Sequence, residues 1–156
     1  MEDSASFPFS PIGFVLFFVM LWCLISFLLS FIGGWFALAQ RFRTQDAPHG
    51  EVLVAGPWFR TVYVRFWTHY GGIIRLVAAS DALYLSVLVL FRVGHPPLRI
   101  PWSEIEVSRT KYFFRRYVEL RLGRDIQIPM RISERMANKL GVFERFQHSL
   151  ENSEWP

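Results

Sequence analysis

Between Ser4 and Gln40 the chain has no Asp, Glu, Lys or Arg. A stretch of that length without a charge does not supply the solvated surface a small soluble domain needs, and it excludes an ordinary helix lying half in water. Cysteine is nearly absent too. Cys23 is the single one among 156 residues, so no disulfide framework and no cysteine-based metal site can be built within one chain. The four histidines, His49, His69, His95 and His148, lie far apart, without the H-x-x-x-H or H-E-x-x-H spacing of a helical metal site. There is no G-x-S-x-G elbow, no glycine-rich phosphate cradle and no Walker lysine. Glu104 and Glu106 suggest a carboxylate pair on one strand face, but Arg109 and Lys111 nearby offer plain ion pairing. These absences argue against an enzyme, a metal site, a cofactor and a small-molecule substrate.

What is present falls into two parts. All 17 basic residues follow Gln40, together with 11 of the 13 acidic ones, so the first 40 residues carry −2 and the remainder +6. Half of the 16 phenylalanines crowd the uncharged part, about a quarter of the chain. Its run from Ile12 to Ile32 would reach roughly 30 Å as a helix, the thickness of a bilayer hydrocarbon core. The sequence therefore predicts a short N-terminus over 1–11 and a transmembrane helix over 12–34. A cleaved signal peptide competes, because Ala37-Leu38-Ala39 resembles a small-x-small cleavage site. The acidic start and the length of the apolar run favour an uncleaved anchor. Glu2 and Asp3 before the helix, with Arg41 and Arg43 after it, place the N-terminus outside and the body in the cytoplasm. Trp35 and Phe42, with Arg41 and Arg43, are expected at the membrane interface.

Ser26, Ser30 and Gly34 recur every four residues, with Cys23 and Gly33 on the same side. Small residues at that spacing predict a face on which another membrane helix packs. Serines bonding back to their own helix carbonyls are the plainer alternative. Phe14, Phe17, Phe18, Phe27 and Phe31 suit lipid and protein equally.

Residues 35–56 read as an interfacial segment and linker, with Pro48, Gly50 and Gly56 as turn formers. From Pro57 the apolar period becomes two. "WFRTVYVRF" predicts a strand, "HYGG" a turn, and "IIRLVAAS" and "ALYLSVLVLF" further strands, the last apolar on both faces. "LRIPWSEIEV" follows, and Gly94, Pro96 and Pro97 turn the chain before it. Pro101 marks an edge or bulge, and Trp102 is expected to share a core face with Leu98 and Ile100. In "KYFFRRYVELRL" Tyr112, Phe114, Val118, Leu120 and Leu122 alternate with Lys111, Arg115, Glu119 and Arg121, and "IQIPM" is a last short strand. Ser133 is a natural N-cap for a C-terminal helix with Met136, Leu140, Phe143 and Leu150 as its stripe. Residues 151–156 form a tail.

The class expected is α+β: a membrane helix, then a six- to seven-stranded bent antiparallel sheet or barrel capped by an amphipathic helix. "DALYLSVLVLF" followed by "LRIPWSEIEVS" resembles the pleckstrin-homology-like and GRAM superfamily, on Asp81, Leu83, Tyr84, Leu85, Ile100, Pro101, Trp102, Ser103, Glu104 and Ile105. The chain also resembles bacterial proteins with one N-terminal membrane helix before such a domain. That resemblance covers about Pro57 to Leu150 and implies a pleckstrin-homology-like domain over 57–150 at the bacterial inner membrane.

Residues 107–124 carry Arg109, Lys111, Arg115, Arg116, Arg121 and Arg124 against the single acid Glu119. Beside a membrane, such a patch would press on anionic headgroups at about 1 kcal/mol per basic residue. An ordinary solvated face is the alternative. The superfamily's basic phosphoinositide loop falls near "WTHYGG", which has His69 and no Lys or Arg. Nucleic acid is not an expected partner, because basic loops with stacking aromatics are missing. The expected function is a non-catalytic interaction module, an accessory or scaffolding subunit among other integral membrane proteins. The alternative is a tether or sensor that binds anionic lipid through the 107–124 hairpin.

Overall fold

The computed structural model describes residues 10–48, 53–55, 61–64, 68–71, 73–112 and 115–147. Helix α1 runs Pro11–Ile32, with proline in its first turn where no backbone donor is lost. It is the one helix among the described residues long and apolar enough to cross a membrane, and little of it is buried. It stops two residues before the expected end at 34, because Gly34 takes a left-handed conformation (φ 78°) and turns the chain into a second helix. A Cβ there would lie 2.7 Å from the Ile128 Cδ1 methyl.

Helix α2, Trp35–Phe42, corrects the reading of 35–56 as interface and linker. Its apolar positions fall at i, i+3 and i+7, so Trp35, Leu38 and Phe42 share one face, and that face is buried in the main core. Leu53–Ala55 of the expected linker form a strand paired with residues 76–78, and 49–52 and 56 lie outside the described residues.

The strands are β1 Leu53–Ala55, β2 Thr61–Val64, β3 Thr68–Gly71, β4 Ile74–Ala78, β5 Ala82–Val87, β6 Leu98–Pro101, β7 Ile105–Tyr112, β8 Arg115–Leu122 and β9 Ile128–Ser133. They form two antiparallel sheets, ordered β1-β4-β5-β6 and β3-β2-β9-β8-β7. Neither sheet closes, so the expected barrel becomes two open sheets. The strands number more than six or seven because β1 forms within the expected linker, β3 forms at the expected turn, and one expected strand is divided. "LRIPWSEIEV" breaks after Pro101 into a 3-10 turn, Trp102–Glu104, and the chain passes there from an edge of the first sheet to an edge of the second. Proline at the end of an edge strand has no ladder partner to lose. Trp102 is therefore in the turn and only half-buried. Its indole N–H donates to the Ala79 carbonyl at 2.9 Å, while Leu98 and Ile100 are fully buried.

Three further expectations shift. "HYGG" is largely strand: His69, Tyr70 and Gly71 pair with β2 through Tyr63, Val62 and Thr61. β5 ends at Val87, and Val89–Phe91 forms a 3-10 turn. The C-terminal helix is two short ones, α3 Glu134–Lys139 and α4 Val142–Arg145, broken at Gly141. The Ser133 hydroxyl does cap α3, accepting from the Met136 amide at 3.3 Å. Leu150 and the 151–156 tail, like residues 1–9, lie outside the described residues.

One core joins all layers. Leu76, Leu83 and Leu85 from the first sheet meet Val118, Leu120, Leu122, Met130 and Ile132 from the second, with α2 and Met136, Ala137 and Leu140 of α3. The other face of β4–β5 buries Val77, Ala79, Ala82 and Tyr84, so β5 is covered on both faces as its sequence implies.

Candidate functional site

The small-residue face of α1 is occupied by the chain's own loop, Leu88–Pro97, between β5 and β6. Ser26 and Ser30 are buried while most of α1 is exposed. The Ser30 hydroxyl donates to the Gly94 carbonyl. Gly94 adopts φ 76°, and a Cβ added to it would lie 3.2 Å from both Phe27 Cα and Ser30 Cβ. The loop and helix backbones approach this closely only because both partners are small. Where another membrane helix is expected, Ser26 and Ser30 receive a loop of the same chain. Gly33 and Gly34 are buried at the α1–α2 joint, and Cys23 is half-buried.

Two tryptophans extend the contact. The Trp22 indole N–H donates to the Leu90 carbonyl at 3.3 Å, and its ring lies 5.1 Å from that of Phe91. The Trp35 indole N–H donates to the Pro96 carbonyl at 3.0 Å. Trp35 and Phe42 were expected at headgroup level. Their rings instead fill the core, because α2 folds back under the loop. His95 is 3% exposed, edge-on to Trp35 at 5.4 Å, with Nδ1 3.2 Å from the Val93 carbonyl. Burial holds its pKa below the ordinary histidine value, although the Val93 and Phe91 carbonyls favour the charged form.

The loop is tied internally as well. Leu88 N–H donates to Ile73 O at 3.1 Å, Phe91 N–H to Leu88 O at 2.8 Å, Arg92 N–H to Val89 O at 3.2 Å, and His95 N–H to Arg92 O at 3.0 Å. Yet its outward side chains are apolar: Leu88, Val89, Leu90 and Val93 are all exposed, Val89 at 76%.

The two arginines expected at the interface separate. Arg41 pairs with Asp125 and, at 3.3 Å, with Glu104. Arg43 is exposed, its backbone bridged to Leu98 and followed by a Thr44 N–H to Pro97 O bond of 3.0 Å. Arg43 and Arg92 both line a groove of about 390 Å³ with Phe27, Phe36, Ala39, Gln40, Gly94 and Pro96.

The basic hairpin does not present one face. The register pairs Arg109 with Val118, Lys111 with Arg116, and Tyr112 with Arg115. Directly paired residues share a face. Arg109 and Arg116 therefore continue the core-facing rows, while Arg121 falls on the side of Glu119. The chain reverses after Tyr112, and that changes the parity expected for one uninterrupted strand. Arg116 is exposed, Arg109 half-buried, and the side chains of Lys111 and Arg115 lie outside the described set. Glu119 is buried between Arg131 at 3.0 Å and Arg121 at 3.3 Å. The Glu104–Glu106 pair also dissolves: Glu104 is in the 3-10 turn, accepting from the Arg124 amide at 3.1 Å, and Glu106 is exposed on β7. Among the described residues no group of three or more His, Cys, Asp or Glu could hold a metal. His49 and His148 lie outside them.

Reasoning from the sequence missed Trp22, Gly94 and His95 as contact residues. One signal was available: an indole in the middle of an apolar helix needs an acceptor for its N–H. No family model matches the chain, and comparison with curated proteins and with solved structures finds no match.

Proposed function

We propose that the chain is a single-pass membrane protein whose C-terminal body is a non-catalytic interaction module, an accessory or scaffolding subunit of a larger membrane assembly. The body lies on the cytoplasmic side of a bacterial inner membrane and is related to the pleckstrin-homology-like domains. One observation carries the reading: the apolar helix and the body are a single packed unit. Trp35, Leu38 and Phe42 put α2 in the core, and the Leu88–Pro97 loop grips α1, so the body has a set orientation relative to its anchor. A subunit that must present a fixed surface to neighbours beside the bilayer needs that geometry; a tether on a flexible linker does not. The rest of α1, apolar and exposed, is left for lipid or a neighbouring helix.

The lipid-sensor alternative has less support, because the register divides the hairpin's basic residues between two faces and Glu119 engages Arg121 and Arg131. The test is extraction and sizing of the full-length protein from its own membranes. The expected result is retention in the membrane pellet at alkaline pH, release by mild detergent, and a particle larger than protomer plus micelle. Recovery in the soluble fraction would end the anchor reading, and a lone protomer in mild detergent would end the subunit reading.

A further inference from the structure

We infer that the groove between the end of α1, α2 and the Leu88–Pro97 loop is a binding site for one anionic phospholipid, its phosphate held between Arg43 and Arg92. The inference rests on the membrane reading above and adds a ligand to it.

The loop's outward residues Leu88, Val89, Leu90 and Val93 continue the apolar surface of α1 rather than interrupting it. Non-helical backbone is tolerated at membrane depth only where its polar groups find partners in the protein. Here they do. The carbonyls of Leu90, Gly94 and Pro96 accept from Trp22, Ser30 and Trp35, Val93 O faces His95 Nδ1, and the loop amides of Phe91, Arg92 and His95 bond within the loop. The loop thus lies against α1 with Leu88, Val89, Leu90 and Val93 outward, suited to the boundary between lipid and water.

The groove behind the loop is apolar on one wall and positively charged at its mouth. Phe27, Phe36, Ala39, Gly94 and Pro96 supply an apolar wall, and the Phe27 and Phe36 rings meet edge to face at 6.3 Å. Arg43 and Arg92 supply the positive charge, and Gln40 a neutral polar group. Among the described residues neither arginine has an ion-pair partner, whereas Arg41, Arg99, Arg121 and Arg131 each do. Both are anchored through their own backbones, Arg43 by its bridge to Leu98 and Arg92 by its amide to Val89 O. A guanidinium binds phosphate with directed donors, so two of them over an apolar wall match a charged headgroup above an acyl chain. A volume of about 390 Å³ is within the range of small-ligand sites. The groove also lies at the end of α1 that leads into α2.

The experiment uses the full-length protein in detergent, titrated with phosphatidylglycerol, phosphatidylcholine or inorganic phosphate while bound lipid is counted by native mass spectrometry. One phosphatidylglycerol should be retained per protomer in preference to phosphatidylcholine, and inorganic phosphate should not displace it. The double variant Arg43→Gln/Arg92→Gln should weaken retention by about 30-fold, since each basic residue near an anionic headgroup contributes about fivefold. Arg115→Gln/Arg116→Gln on the hairpin should leave retention unchanged. Equal retention of the two lipids, an unaffected Arg43/Arg92 variant, or displacement by phosphate alone would each overturn the site. A protein that needs detergent but fails these tests keeps its anchor and loses only this site; one that needs no detergent loses both.

Discussion

The two halves of α1 have much the same hydropathy and quite different roles. From Pro11 to Leu21 the helix carries Ile, Phe, Val, Leu and Met with the lone Gly13, and the large apolar side chains are all exposed. From Trp22 to Ile32 the same apolar types are interspersed with Trp22, Cys23, Ser26 and Ser30, and those four are the buried or half-buried positions. In an apolar solvent hydrophobicity gives a helix no reason to prefer protein over lipid. Association then depends on close approach and on hydrogen bonds that lipid cannot offer. The difference teaches that a spanning segment should be read for its few small and polar-tipped residues, not for its many apolar ones.

The largest break in that contrast is expected at Gly94. Gly94→Leu combines a left-handed backbone with a Cβ at 3.2 Å from the α1 backbone, and should cost about 2–4 kcal/mol of stability. Val15→Leu, on the unengaged half, should change stability by less than about 0.5 kcal/mol. Chemical denaturation of the full-length protein in mild detergent measures both. Equal effects at the two sites would mean the loop does not grip the helix. A smaller break follows at Ser30. Ser30→Ala keeps the groove open but removes the donor to the Gly94 carbonyl, with an expected loss of about 1–3 kcal/mol. Hydrogen exchange at residues 88–96 should rise in that variant while exchange in β7–β8 stays as it was. A rise spread evenly over both regions would show that the hydroxyl supports the whole fold rather than the loop.

Much of the architecture was legible in the sequence, and the failures share a cause. Uncharged length gave α1, period-two patterning gave the antiparallel strands, and Ser133 marked the start of α3. Each of those signals is local. The errors arise where the chain changes direction inside an unbroken apolar pattern. Trp35, Leu38 and Phe42 continue the α1 composition across Gly33-Gly34, so a core helix looked like an interface and linker. "KYFFRRYVELRL" alternates cleanly although it spans the end of β7 and the start of β8, and this hid the split of the basic residues over two faces. "ALYLSVLVLF" keeps a strand's composition past Val87, where the chain turns outward and leaves Val89 and Leu90 exposed. The site was half legible: Ser26 and Ser30 stand out on α1 as small residues, but what covers them required knowing which loop the topology delivers there.

The mildest test of the contrast is acid, acting on the engaged half through His95. The ring lies under the loop against Trp35, and burial lowers its pKa relative to the ordinary value near 6.5 in an unfolded chain. Above about pH 6.5 both states hold the imidazole neutral, so the full stability is present. As pH falls below that value the unfolded chain takes up a proton that the folded one excludes. Stability then declines until the lowered folded pKa has been passed. The unfolding midpoint should therefore drop between pH 7 and pH 5 in the wild type and drop less in His95→Asn, which has no ring to protonate. Carboxylates titrate mostly below this window, near pH 4, so their contribution is common to both proteins. Parallel midpoints across the window would show that the ring titrates alike in both states and that its burial under the loop carries no pH dependence. A drop confined to the wild type, accompanied by faster exchange at residues 88–96 and none in β7–β8, would place the proton's effect on the loop's hold over α1.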